Sequence, residues 1–200
     1  MSRTILSLVS ILFAFSAFGT EKRLVILGDS LSEGYGVASQ VSYPALLQIQ
    51  IQKSGKNWKV MNASISGSTS ASGPGRLRWQ LKNKPDLLLL ELGANDGLRG
   101  LDPLKMEENL DQVLRECKKE KVAVILAGMK MPLNYGKEYR QKFEAVFPRL
   151  AQKYQIPLIP FFLDGIAGDA KLNQADGIHP NEKGHQILAE KIYQQIKDLL

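Results

Sequence analysis

Two hundred residues, 44% hydrophobic and 23% charged, supply enough apolar side chain to offset the entropy of ordering a backbone, which excludes a disordered chain. The length suits one core and would leave two cores small and marginal. The formal charge of +6 is spread along the chain with no basic block interleaved with aromatics, which excludes a nucleic-acid tract and leaves a solvated surface with mild attraction to anionic phospholipid.

The chain opens with Arg3, an apolar run from Ile5 to Phe15, and the exit Ser16-Ala17-Phe18-Gly19. A basic start, a short apolar stretch and small-x-small residues predict a secretory signal over residues 1–19, cleaved after Gly19. The run is shorter than the ~20 residues a spanning helix needs, so no stable membrane insertion is expected after cleavage. No cysteine follows to carry a lipid. Residues 20–200 are then expected as one domain, periplasmic or secreted. Cys117 is the only cysteine, so no internal disulfide can form. Between Glu116 and Lys118 it reads as a helix-face residue without special role, against the rival of a catalytic thiol made acidic by the lysines.

Short, wholly apolar runs then alternate with helical patterns. Leu24–Leu27, Trp58–Met61, Leu87–Leu90, Val122–Leu126 and Pro157–Pro160 read as strands buried on both faces. Tyr43–Lys53, Gly75–Asn83, Pro103–Lys119, Tyr135–Gln155 and Asn181–Leu200 read as helices, with Asp102-Pro103 a good N-terminal signal. The alternation predicts an α/β fold, a three-layer α/β/α sandwich around a mostly parallel five-stranded sheet. Ligands of such sheets bind beyond the carboxyl ends of the strands.

The segments at those ends are Gly28-Asp29-Ser30-Leu31 after the first strand, Asn62-Ala63-Ser64-Ile65-Ser66-Gly67 after the second, and Glu91-Leu92-Gly93-Ala94-Asn95-Asp96-Gly97 after the third. Asp176-Gly177-Ile178-His179 follows well beyond the fifth. No G-x-G-x-x-G, Gly-Lys-Ser/Thr or G-x-S-x-G pattern is present.

These four blocks, in this order, resemble the SGNH (GDSL) hydrolase family, from about Arg23 to the C-terminus. The longer stretches Asn62–Gly67 and Glu91–Gly100, with Asn134-Tyr135-Gly136, are similar to its bacterial periplasmic thioesterase/lysophospholipase/arylesterase branch. Ala94 stands where that branch often has a second glycine, a methyl added beside the reacting centre that bears on acyl preference. The resemblance implies a flavodoxin-like fold, no cofactor, and acyl esters, thioesters or lysophospholipids as small-molecule substrates.

The chemistry can also be argued from the residues. Ser30 is a weak nucleophile until a base takes its proton, and His179 is a suitable base. Asp176, three residues earlier, can hold one ring nitrogen as donor and leave the other to accept from Ser30. The backbone N–H groups of Ser30 and Gly67 and the amide of Asn95 are candidate oxyanion donors. Leu98, Leu101, Met131 and Leu133, on the loops after the third and fourth strands, are expected to line an acyl groove. No metal is needed; a zinc site of Asp176, His179 and His185 lacks a fourth ligand.

Rival readings exist for single residues. Ser30 could be a helix cap, Gly67 and Asn95 turn residues, Asp29 a structural hydrogen-bonding group, Asp96 a turn or supporting residue, and His185 a surface position on the last helix. Two rival functions are a carbohydrate O-acetylesterase on the same fold and a periplasmic binding module with an inert serine. Nothing in the sequence demands a partner chain, so a monomer is expected.

Overall fold

Strand β1, Lys22–Leu27, is buried over its last four residues and lies inside the sheet, second from one edge. The computed structural model describes residues 20–200; the predicted signal over 1–19 lies outside the described residues. The other strands are β2 (Trp58–Asn62), β3 (Leu87–Leu90), β4 (Ala123–Ala127) and β5 (Leu158–Ile159). All pair in parallel, in the order β2-β1-β3-β4-β5. β3 is four leucines, each essentially inaccessible, because a central parallel strand is covered on both faces.

Among the described residues eight α-helices accompany the sheet: α1 (Ser30–Glu33), α2 (Tyr43–Lys53), α3 (Gly73–Gln80), α4 (Ala94–Leu98), α5 (Pro103–Lys119), α6 (Lys137–Glu144), α7 (Val146–Tyr154) and α8 (Glu182–Ile196). α2 packs on α8 on one side, and α3, α5 and α7 pack in series on the other. α5 starts where its sequence signal lies: Asp102 accepts the N–H of Leu104 at 2.9 Å and Pro103 occupies the first turn.

The order β2-β1-β3 reverses the winding direction between β1 and β3. Register places Leu27 beside Leu90, so the segments leaving β1 and β3 diverge from one point and open a crevice. The site is built there.

Candidate active site

Asp29, Ser30 and Leu31 leave β1 directly into the single turn of α1. Asp29 caps this turn, its Oδ1 accepting the N–H of Leu31 at 3.0 Å. Ser30 is therefore not the cap; its side chain is half-buried and free to face the crevice.

His179 comes from the loop before α8, and its position follows from Asp176. Asp176 Oδ1 accepts the backbone N–H groups of Ile178 (2.9 Å) and His179 (3.0 Å), while Oδ2 lies 2.6 Å from His179 Nδ1. The two intervening residues let one carboxylate bind both the turn and the ring. Burial alone would raise the Asp176 pKa, but the two N–H groups and the ring outweigh it and bring it down to about 2. An ionised carboxylate only accepts, so Nδ1 carries the proton and Nε2 presents its lone pair. Nε2 lies 2.9 Å from Ser30 Oγ. Tyr35 tilts over the imidazole, ring centroids 4.7 Å apart, and confines it from the open side.

A cleft of about 310 Å³ surrounds this contact, lined by Ser30, His179, Gly67 and Asn95 among others. Gly67 has φ +75°, a left-handed turn geometry that suits glycine, and its carbonyl accepts from Arg99 at 2.9 Å. Asn95, in the first turn of α4, donates its amide to Asp29 Oδ2 (3.0 Å) and to the Ser68 carbonyl (3.1 Å). A narrower apolar cavity of about 120 Å³ adjoins the cleft and shares Leu31, Ala94, Leu98 and Ile178 with it. Met129, Met131, Phe161 and Leu163 form its far wall.

Of the four residues expected in an acyl groove, Leu98 and Met131 line this cavity. Leu101 and Leu133 line neither space; they are 43% and 81% exposed. Their loops are at the strand ends, but these side chains turn outward. A larger hollow of about 900 Å³ lies along α8 and β5 and contains none of the Ser30–His179–Asp176 set.

His185 corrects a sequence expectation. It is 1% exposed, its Nδ1 accepts the N–H of Tyr43 at 3.2 Å, and its ring stacks on that tyrosine. Its spacing carried the signal: with Leu188, Ile192 and Ile196 it forms the buried stripe of α8. Burial, aided by His179, lowers its pKa to about 4. It does not converge with His179 and Asp176, and among the described residues no group of three or more His, Cys, Asp or Glu could hold a metal. Cys117 lies in the core, and burial pushes its thiol to about 12.

Beneath the site, sequence reasoning named Asp29 and Asp96 as supporting groups but passed over Glu91 and Arg76. Glu91 is fully buried, as are Asp29 and nearly so Asp96. Asp96 accepts the N–H and hydroxyl of Ser70 at 2.8 and 2.6 Å, tying α4 to the loop that carries Gly67. Arg76 reaches from α3 to the carbonyls of Gly28 and Ala63. A charged residue ending a run of four leucines was the visible sign of Glu91.

Residues 26–187 match the sequence model of the GDSL-like lipase/acylhydrolase family. A thioesterase 1/protease 1/lysophospholipase L1 of Escherichia coli K12 is 40% identical over 191 residues, 95% of this chain and 90% of that protein. An arylesterase of Vibrio mimicus is 37% identical over 193 residues, 96% of each. The structure of the psychrotrophic esterase EstA from Pseudoalteromonas, inhibited by monoethylphosphonate, superposes with a TM-score of 0.85 at 35% identity, covering 89% of this chain and 98% of that one.

Proposed function

Since the chain belongs to the GDSL-like lipase/acylhydrolase family and is a serine hydrolase of acyl esters and thioesters, we propose that Ser30 is its nucleophile, His179 its general base and acid, and Asp176 the group that orients His179. The observation that carries this reading is the unbroken contact from Asp176 Oδ2 through His179 to Ser30 Oγ, at 2.6 and 2.9 Å. Ser30 Oγ attacks the acyl carbonyl carbon as its proton passes to Nε2. The tetrahedral intermediate collapses when that proton is given to the leaving alkoxide or thiolate, leaving an acyl-serine. A water molecule, deprotonated by the same nitrogen, attacks the acyl-serine, and Ser30 is released with its proton restored.

The developing oxyanion is assigned to the N–H groups of Ser30 and Gly67 and to Asn95. Both amide protons of Asn95 are already engaged. It takes part by exchanging the neutral Ser68 carbonyl for the oxyanion while keeping the Asp29 carboxylate as its anchor. Losing one such donor costs roughly 10²–10³ in turnover.

The substrate is a small-molecule ester. Its acyl chain is assigned to the apolar cavity bounded by Leu98 and Met131, which favours medium or long chains over acetyl. The thioesterase, lysophospholipase and arylesterase activities named for the relatives define the range to assay. Among the described residues no helix is long and apolar enough to cross a membrane, and the protein is proposed to act as an exported monomer after removal of residues 1–19. A fluorophosphonate probe followed by peptide mapping tests the nucleophile directly. Label on the Ser30 peptide, absent in Ser30→Ala, is the expected result; label elsewhere removes Ser30 from the role.

A further inference from the structure

Glu91 has no part in the reaction just described, yet it is hydrogen-bonded on both sides of the residue that carries the nucleophile. It follows directly on β3, is inaccessible to solvent, and lines neither cleft. Its Oε2 accepts the backbone N–H of Asp29 at 3.2 Å and the hydroxyl of Ser32 at 2.6 Å. Those two residues stand one before and two after Ser30. Ser32 Oγ is bonded in turn to the Tyr43 hydroxyl at 2.7 Å. Gly28 permits the approach: a Cβ there would sit 2.4 Å from Glu91 Oε2.

We infer that Glu91 is a positioning residue for the nucleophile, one buried carboxyl oxygen pinning both sides of the Asp29–Ser32 turn and so setting where Ser30 Oγ meets His179. This inference rests on Ser30 being the nucleophile. Hydrogen bonds within α1 alone could not do the work, because a four-residue helix is too short to be stable without tertiary support. A displacement of the hydroxyl by about 1 Å is enough to cost ~10²-fold in rate.

The clamp works as a neutral acid. Asp29 and Glu91 are both fully buried and joined by a single N–H. The groups facing them are Arg76 from α3, Tyr43 from α2 with His185 of α8 behind it, and His179 beyond Asp29. Arg76 is only partly buried and spends one guanidinium nitrogen on the carbonyls of Gly28 and Ala63. One shared guanidinium does not repay the burial of two carboxylates. Asp29 has donors for both oxygens, from Leu31 and Asn95. Glu91 Oε1 has no partner among the described residues, and such an orphan is far less costly on an uncharged acid. Burial accordingly raises Glu91 well above the carboxylate range. Burial also raises Asp29, but only to about 6 because its donors pull it back.

The test compares Glu91→Ala, Glu91→Gln and Ser32→Ala with the unmodified protein. It measures kcat, KM and pH profile on p-nitrophenyl butyrate, the rate of inactivation by a fluorophosphonate, and the melting curve. Glu91→Ala is expected to lower kcat and the inactivation rate by about 10²-fold with KM nearly unchanged. Glu91→Gln keeps an accepting oxygen without charge and is expected to restore most of kcat with the original pH profile. Ser32→Ala removes one arm of the clamp and gives a smaller loss of the same kind.

An undiminished kcat in Glu91→Ala overturns the inference, and so does a glutamine variant as impaired as the alanine one. A loss that only tracks the unfolded fraction in the melting curve overturns it as well. Should Glu91→Ala not fold, Ser32→Ala decides: slowed inactivation at constant KM supports the clamp, and a wild-type rate contradicts it. Ser30→Ala runs alongside, since activity surviving that change removes the nucleophile reading itself and not the role of Glu91.

Discussion

His185 and Cys117 show how one buried side chain sets an observable. His185 is held neutral, with its pKa lowered from 6.5 to about 4. Between those values the unfolded chain binds a proton that the folded chain refuses, so this contribution is complete above about 6.5 and is lost as pH falls toward 4. Urea titrations at pH 7 and pH 4.5 should show wild type losing more stability on acidification than His185→Gln. Equal losses would remove His185 from the account. Asp176 shifts in the same direction at lower pH, because its partners favour the charged form: depressed from 3.8 to about 2, its contribution is complete above about 3.8 and is lost as pH falls toward 2. Asp176 therefore stays ionised through the pH range in which turnover would be measured. Cys117, buried with its thiol pushed to about 12, should resist a disulfide reagent in native buffer and react once urea is added; rapid native labelling would contradict the packing.

At the scale of elements, acyl preference is proposed to lie in the loops after β3 and β4. Leu98 and Met131 line the apolar cavity, so Met131→Asn should lower kcat/KM for dodecanoyl esters at least roughly tenfold relative to acetyl, the cost of about one methylene-sized contact. Leu133→Asn, which changes an exposed side chain, should leave that ratio alone. A uniform loss across chain lengths in Met131→Asn would place the acyl chain elsewhere. The cap of α5 offers a stability counterpart: Asp102→Ala should cost ~1 kcal/mol in urea unfolding without altering activity, and no cost would mean that the bond from Leu104 contributes nothing.

Helix starts such as Asp102-Pro103 were legible because capping chemistry is local. The helical pattern read from Tyr135 to Gln155 is in fact two helices, α6 and α7, separated at Ala145. Pro148 is the cause: it lacks the N–H that would bond to Glu144, and its ring crowds that carbonyl. The signal was in the sequence, masked by continuous apolar periodicity on either side. Side-chain direction in the loops was not legible, which is why Leu101 and Leu133 were grouped with Leu98 and Met131.

For the molecule as a whole, the parallel sheet is what gathers the sequence blocks. Every strand in the sheet points the same way, so four sequence blocks separated by up to 150 residues are delivered to one edge. Strand order and the crevice between β1 and β3 then bring Ser30 within 2.9 Å of His179. What stayed hidden is what needs three dimensions to exist: the burial of His185 against Tyr43, and the clustering of Asp29, Glu91 and Arg76 from three separate elements.

Hydrolysis of p-nitrophenyl esters from acetyl to dodecanoyl, with Ser30→Ala in parallel, tests the proposed nucleophile and acyl cavity together. The expected result is activity that rises from acetyl toward medium or long chains and disappears in the variant. Activity that survives Ser30→Ala would contradict the proposed nucleophile, and activity confined to acetyl esters would contradict the acyl cavity.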